Sequence, residues 1–400
     1  MKCSNRICTM QYSPIRNLSS YANIPKKNGV KIYHLNIGQP DIKTPHTFFD
    51  EIKKFNKEVL EYSSSSGISS LINSIIDYYK LYDIVFEEDE ILITAGASEG
   101  LLFSILATCD SNDNILIPEP FYTNYNGFSQ ALNVDIIPIT TKIETGFHLP
   151  SIENITSLIN SNTKAILICN PGNPTGCIYS KDEIYMLAKI AYEYDLWIIA
   201  DEVYREFIYD NLEYISFGTI DKIKDRTILI DSISKKYSAC GARIGSIACK
   251  NKYLIQEILK LCQNRLSVST LEQLGACSLY KYPFSYFNKI SKEYESRRDL
   301  LYNELIKIDG IVCKKPSGAF YILAKLPIND AKDFAKWLIT DFNLNNETVM
   351  ICPAKDFYKS SNLGKDEIRL SYVLKEEDLI KSINIIKEGL KIYIQTKNEK

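Results

Sequence analysis

Short apolar runs alternate with longer amphipathic stretches through the first two thirds of the chain. The runs fall at 91–94, 114–117, 134–139, 164–169, 196–200, 227–230 and 242–249. They are short and rich in Ile, Leu, Val and Ala, so they read as buried strands. The stretches 98–108 and 181–194 place apolar residues at helical spacing. Strands alternating with helices predict an α/β chain whose largely parallel sheet is covered on both faces. In such sheets ligands sit beyond the carboxyl ends of the strands.

Beyond about residue 285 the texture changes. A long charged amphipathic helix is expected at 284–306, strands at 319–324 and 367–373, and helices at 331–340 and 376–393. This predicts a smaller α/β domain, with the N-terminal segment packed on it. No internal repeat or long low-complexity tract interrupts the chain.

Length and composition narrow the classes. At 400 residues a large core and two domains are within reach. A 45% hydrophobic and 24% charged composition is that of an ordinary soluble globular protein. A net charge of −2 gives no electrostatic case for nucleic acid or a membrane surface. The eleven cysteines form no Cys-x-x-Cys pair, and His34, His46 and His148 lack ligand spacing to any of them. Neither a disulfide framework nor a metal site is expected. Scattered thiols, a polar N-terminus and the lack of a long apolar stretch lead to the expectation of a cytoplasmic protein.

The candidate chemistry follows the strands. In Ser232-Ile233-Ser234-Lys235-Lys236-Tyr237-Ser238-Ala239-Cys240-Gly241-Ala242-Arg243-Ile244-Gly245, a lysine among small residues stands eight positions before an arginine near glycines. That suits pyridoxal phosphate: a lysine amine forms a Schiff base with its aldehyde, and an arginine fork grips its phosphate. Asn170-Pro171-Gly172-Asn173-Pro174-Thr175-Gly176 is a rigid turn that can hold the Asn173 amide still, or a plain turn. Asp201 closes a strand and can face a pyridine nitrogen, with Tyr204 near a ring oxygen; it also reads as an N-cap. Gly96-Ala97-Ser98-Glu99-Gly100 opens a helix whose N–H groups, with the Ser98 hydroxyl, suit an anion. Pro120-Phe121-Tyr122-Thr123-Asn124-Tyr125 offers a ring to stack on a flat cofactor, or a core aromatic cluster. Arg369, in an apolar strand, needs an anionic partner: a substrate carboxylate, or Asp366 or Glu367 in a salt bridge.

Taken in order, these segments resemble the class I/II aminotransferases of PLP fold type I, and in particular bacterial aspartate aminotransferases. Asn36-Ile37-Gly38-Gln39-Pro40-Asp41 is similar to the family's substrate loop, and Pro316-x-Gly318-Ala319-Phe320-Tyr321 to its small-domain signature. The resemblance implies a mixed, mostly parallel seven-stranded sheet covered by helices, in a large PLP-binding domain over 46–290. A smaller α/β domain would take 1–45 and 291–400. It also implies roles. Lys235 would carry the cofactor and move the proton. Arg243, Ser232, Ala97 and Ser98 would bind the phosphate. Asp201 would pair with the pyridinium. Tyr204 and Asn173 would bond the ring oxygen, and Tyr122 would stack on the ring. Tyr62, in Tyr62-x-x-x-x-Gly67, would reach the phosphate across a homodimer interface. Gly38 and Arg369 would take the substrate carboxylate, with Asn173 also binding substrate.

The implied activity is ping-pong transfer of an amino group from an L-amino acid, aspartate first, to a 2-oxo acid such as 2-oxoglutarate. A C–S β-lyase and an aromatic or broad-range aminotransferase are the alternatives on the same scaffold. The residue for a second substrate carboxylate is not placed by any motif; Arg205 and Arg265 are the basic candidates. The family often has Pro-Glu or similar where this chain has Ser69-Ser70.

Overall fold

The computed structural model describes residues 1–398. Strand β1 (Lys31–His34) precedes β2 (Ile91–Thr94), β3 (Asn114–Glu119), β4 (Asp135–Thr140), β5 (Thr163–Cys169), β6 (Trp197–Asp201), β7 (Thr227–Ser232) and β8 (Gly245–Ala248). The last seven form one sheet in the order β2-β8-β7-β6-β5-β3-β4. β8 runs antiparallel to both β2 and β7, and the other pairs are parallel. The sheet is therefore mixed and mostly parallel. Successive residues of a strand face opposite sides. Leu116, Ile166, Ile198 and Leu229 enter one apolar cluster, and Ile115, Leu167, Ile199 and Ile228 the other. Both faces are thus filled, which is why these strands read as continuous apolar runs.

The run at 242–249 is longer than the strand it produces. Residues Cys240–Ala242 form a 3-10 turn, and Arg243 adopts φ +54°, so pairing starts only at Gly245. The run at 134–139 yields a strand one residue further on.

The remaining strands are β9 (Val312–Cys313), β10 (Tyr321–Lys325), β11 (Glu347–Met350), β12 (Cys352–Pro353) and β13 (Glu367–Ser371). Four of them form an antiparallel sheet in the order β12-β13-β10-β9, and β11 pairs in parallel with β1. β1 therefore joins the C-terminal third. The first nine residues do not. Arg6 Nη1 donates to Ala131 O at 3.1 Å, and Gln130 Nε2 donates to Thr9 Oγ1 at 2.9 Å. Helix Asn5–Thr9 thus lies on helix Asn124–Leu132, which packs on the large sheet.

Glu119, at the carboxyl end of β3, ties the two parts together. Its fully buried carboxylate accepts from Thr140 Oγ1 at 2.8 Å, Lys359 N at 2.9 Å, and Ser360 N and Oγ at 3.0 and 2.6 Å. Among the described residues no helix is long and apolar enough to cross a membrane.

Candidate active site

The carboxyl ends of the parallel strands open on a cavity of about 640 Å3. Among the described residues that line it, Asp201 is the only carboxylate, against Lys235, Arg16, Arg243 and Arg369. One negative and four positive groups suit a ligand carrying several negative charges.

Lys235 stands on the single-turn helix Ile233–Lys236, capped by Ser232, whose Oγ accepts from Ser234 N at 3.1 Å. Ser232 Oγ is also within 2.8 Å of Ile244 O. The Lys235 amine donates to Gly38 O at 2.8 Å. Only glycine fits at 38, because a Cβ there would overlap the Tyr321 hydroxyl.

Asp201 terminates β6 and is 4% exposed. Its Oδ2 accepts from the Tyr125 hydroxyl at 2.7 Å. Burial pushes its carboxyl up to about 6, although the Tyr125 hydrogen bond acts the other way. Tyr204 is buried, with its hydroxyl 2.9 Å from that of Tyr321, and burial raises its phenol well above the ordinary range. Tyr122 lines the cavity beside Asp201, edge-on to Tyr125 with centroids 5.6 Å apart, and burial pushes its phenol up to about 12.

At one end of the cavity Gly96, with φ +78°, turns the chain from β2 into helix Ala97–Thr108. A Cβ on Gly96 would overlap the Arg243 guanidinium, so glycine lets this arginine lie against the helix start. Arg243 donates to Cys240 O at 3.0 Å and Ala95 O at 3.3 Å. Ala97 and Ser98 line the cavity at the same place.

Arg369, from β13, is 1% exposed. Its Nη1 donates to Asn173 Oδ1 at 3.0 Å and its Nη2 to Asn36 O at 2.5 Å, while its buried Nε has no partner. The salt bridge allowed for Arg369 does not form. Asp366 pairs with Lys325 at 3.3 Å, and Glu367 accepts from the Tyr358 hydroxyl at 2.7 Å. A buried guanidinium with no carboxylate beside it is costly unless an anionic ligand completes it. The 170–176 turn is held by the smaller sheet's approach: Ser317 N and Gly318 N both donate to Gly176 O at 2.8 Å. Asn173 therefore uses its Oδ1 on Arg369, leaving its amide hydrogens to offer.

Two candidates lie elsewhere. Arg205 is buried in ion pairs with Glu202 and Asp231. Arg265 lies 3.3 Å from Glu99 and donates to Ile93 O. Neither lines the cavity. Tyr62 is 79% exposed and outside its own chain's cavity. Sequence reasoning passed over Tyr125, Tyr321 and Arg16. Tyr125 and Tyr321 lay inside segments already singled out and Arg16 in none, and nothing in the sequence showed which ring or guanidinium turns inward.

The residues fit pyridoxal phosphate on the structure's own terms. A helix start with a guanidinium suits the phosphate, a buried carboxylate that titrates near 6 suits a protonated ring nitrogen, and a lysine stands between.

Comparison with known proteins finds relatives over nearly the whole chain. The family model "Aminotransferase class I and II" matches residues 30–386. A probable aspartate/prephenate aminotransferase of Aquifex aeolicus is 31% identical, over 97% of this chain and 98% of its own length. A probable aspartate aminotransferase of Methanocaldococcus jannaschii is 33% identical, over 96% and 99%. Among solved structures, the alanine aminotransferase of Pyrococcus furiosus superposes with a TM-score of 0.89 at 29% identity, covering 98% of this chain and all of its own. Its fold is that of the PLP-dependent aminotransferases, and the chain belongs to the class I and II aminotransferase family.

Proposed function

We propose that this aminotransferase uses pyridoxal phosphate, held by the residues above, to move the amino group of aspartate to 2-oxoglutarate. The observation that carries the reading is Arg369: a buried guanidinium with no carboxylate partner, facing the cavity that holds Lys235. Bound there, pyridoxal phosphate supplies an electrophilic carbon and an electron-withdrawing ring. Arg243, the Ala97 N–H, Ser98 and Ser232 hold its phosphate. Asp201 keeps a proton on its ring nitrogen, with Tyr125 steadying the carboxylate. Tyr122 stacks on the ring, and Tyr204 and Asn173 donate to its oxygen.

Arg369 takes the substrate α-carboxylate beside Gly38, fixing the α-hydrogen toward Lys235. The Lys235 amine, released from Gly38 O, would take the α-proton and deliver it to the carbon on the far side of the amino nitrogen. Tyr321 and Tyr204 wall the cavity, and one water must enter it to free the 2-oxo acid, supplying the 2-oxo oxygen. Arg16, the cavity arginine without an assigned task, takes the second carboxylate of an acidic substrate. Aspartate is favoured over alanine by this surplus of positive charge.

In this reading residues 46–290 hold the cofactor, and 1–45 with 291–400 carry Arg369 and Gly38. Glu399 and Lys400, in the second segment, lie outside the described residues. A homodimer places Tyr62 of each chain at its neighbour's phosphate, consistent with the exposure of that ring. The protein would act in the cytoplasm.

The test is borohydride reduction of protein loaded with pyridoxal phosphate, followed by peptide mapping, and an aspartate half-reaction on a separate, unreduced sample. The adduct is expected on Lys235, with oxaloacetate released in one equivalent without acceptor. An adduct on another lysine, or Lys235→Ala protein retaining full turnover, sinks the proposal. Pyruvate and ammonia from a cysteine conjugate, without acceptor, would instead mark a lyase.

A further inference from the structure

Next to the cavity, but lining no part of it, lies a buried set of charges that the chemistry above does not use. Glu202, Arg205, Asp231 and Lys236 are each 1% exposed. Arg205 donates to Glu202 Oε2 at 2.6 Å and to Asp231 Oδ2 at 3.3 Å. Lys236 donates to the same Asp231 oxygen at 2.5 Å. Glu202 also accepts from Ser216 Oγ at 2.8 Å and Phe217 N at 3.1 Å. Glu206, beside them, accepts from the hydroxyls of Tyr78 and Tyr82.

The arrangement along the chain gives these charges a meaning. Glu202 follows Asp201, Arg205 follows Tyr204, Asp231 precedes Ser232, and Lys236 follows Lys235. Four residues of the cavity each have an immediate neighbour in the cluster. At the Ser232 junction the link is direct, because Asp231 Oδ1 accepts from Ser232 N at 2.7 Å. Buried ion pairs cost more to desolvate than apolar residues of the same volume, so stability alone does not account for them. Short charge-assisted hydrogen bonds do fix distance and direction.

We propose that the Glu202–Arg205–Asp231–Lys236 cluster is a positioning device that locks the backbone at 201–205 and 231–236, and with it the side chains of Asp201, Tyr204, Ser232 and Lys235. The cluster touches neither substrate nor cofactor. The inference rests on the reading that Lys235 and Asp201 act on bound pyridoxal phosphate.

The experiment uses loaded wild-type protein, Lys236→Met, and the double variant Lys236→Met/Asp231→Asn, which removes one charge of each sign and leaves Arg205 with Glu202. The readouts are thermal midpoint, visible circular dichroism per bound cofactor, and kcat and KM. The single variant leaves Asp231 short of a partner and is expected to lose stability. The double variant is expected to regain its midpoint but keep a cofactor dichroism band reduced about threefold. Its kcat is expected to fall about tenfold to a hundredfold with KM within about twofold, as for a displaced reacting group. A folded double variant with wild-type dichroism and kcat overturns the proposal. So does a double variant that cannot fold, since the cluster is then a stability element. Wild-type protein without a cofactor band would sink the underlying reading instead.

Discussion

The Tyr125 hydroxyl donates to Asp201 Oδ2 at 2.7 Å, across 76 residues of chain. The bond favours the ionised carboxylate, while burial disfavours it and wins, leaving Asp201 near 6 against 3.8 for a free side chain. In that interval the folded protein binds more protons than the unfolded chain. This part of the stability is complete below pH 3.8 and is lost as pH rises through about 6. Between pH 4 and 7 the wild-type apoprotein should lose on the order of 3 kcal/mol relative to Asp201→Asn. Urea unfolding of both proteins at several pH values measures it. Tyr125→Phe should carry the loss to higher pH, and parallel curves for all three proteins would contradict the assignment.

Arg369→Lys keeps the charge but loses the fork that spans Asn173 and Asn36. Lysine cannot offer two fixed, parallel donors. A fall in kcat/KM for every amino donor by about a hundredfold, roughly 3 kcal/mol, is expected. The apoprotein should remain folded by circular dichroism. A loss confined to one donor would place the α-carboxylate elsewhere.

Arg16→Met separates acidic from neutral donors. Steady-state rates for aspartate should drop about tenfold, and those for alanine should stay within about twofold. Because Arg16 is exposed, the aspartate preference of the wild type should also weaken as salt is raised. Equal losses for both donors would remove Arg16 from substrate selection.

Tyr62 has 79% of its surface open and little packing to lose within its own chain. Tyr62→Phe should leave the apoprotein midpoint within about 0.5 kcal/mol. Titration should show cofactor affinity weakened about tenfold to a hundredfold, the value of one hydrogen bond to a charged group. Sedimentation of the wild type should give a dimer. A monomer that binds cofactor normally would rule out the reach across an interface.

The strands of the large sheet were legible because both their faces are buried, which leaves an unbroken apolar signature. β9 and β12, two residues each, give no such signal. Residues 242–249 misled because their apolar content continues across a turn that Arg243 makes at φ +54°. Lys235, Asn173, Asp201 and Arg369 stood out because their segments carry recognisable spacing. Arg205 and Arg265 were misjudged because a one-dimensional reading sees a guanidinium but not the carboxylates folded against it. Tyr122 and Tyr125 stand three residues apart, and only the geometry separates the ring that bonds Asp201 from the ring that lines the cavity.

Arg369 meets Asn36 across 333 residues, and β1 finds its partner only at β11. In the proposed reading, the residues that one chain brings to the phosphate and ring all lie at or before Arg243, whereas the carboxylate grip waits for residue 369. During synthesis, then, a chain emerging from the ribosome can acquire its cofactor pocket well before it can hold a substrate. On that reading the order of translation separates the making of the cofactor site from the making of the substrate site, and a chain interrupted before Arg369 would lack the carboxylate grip.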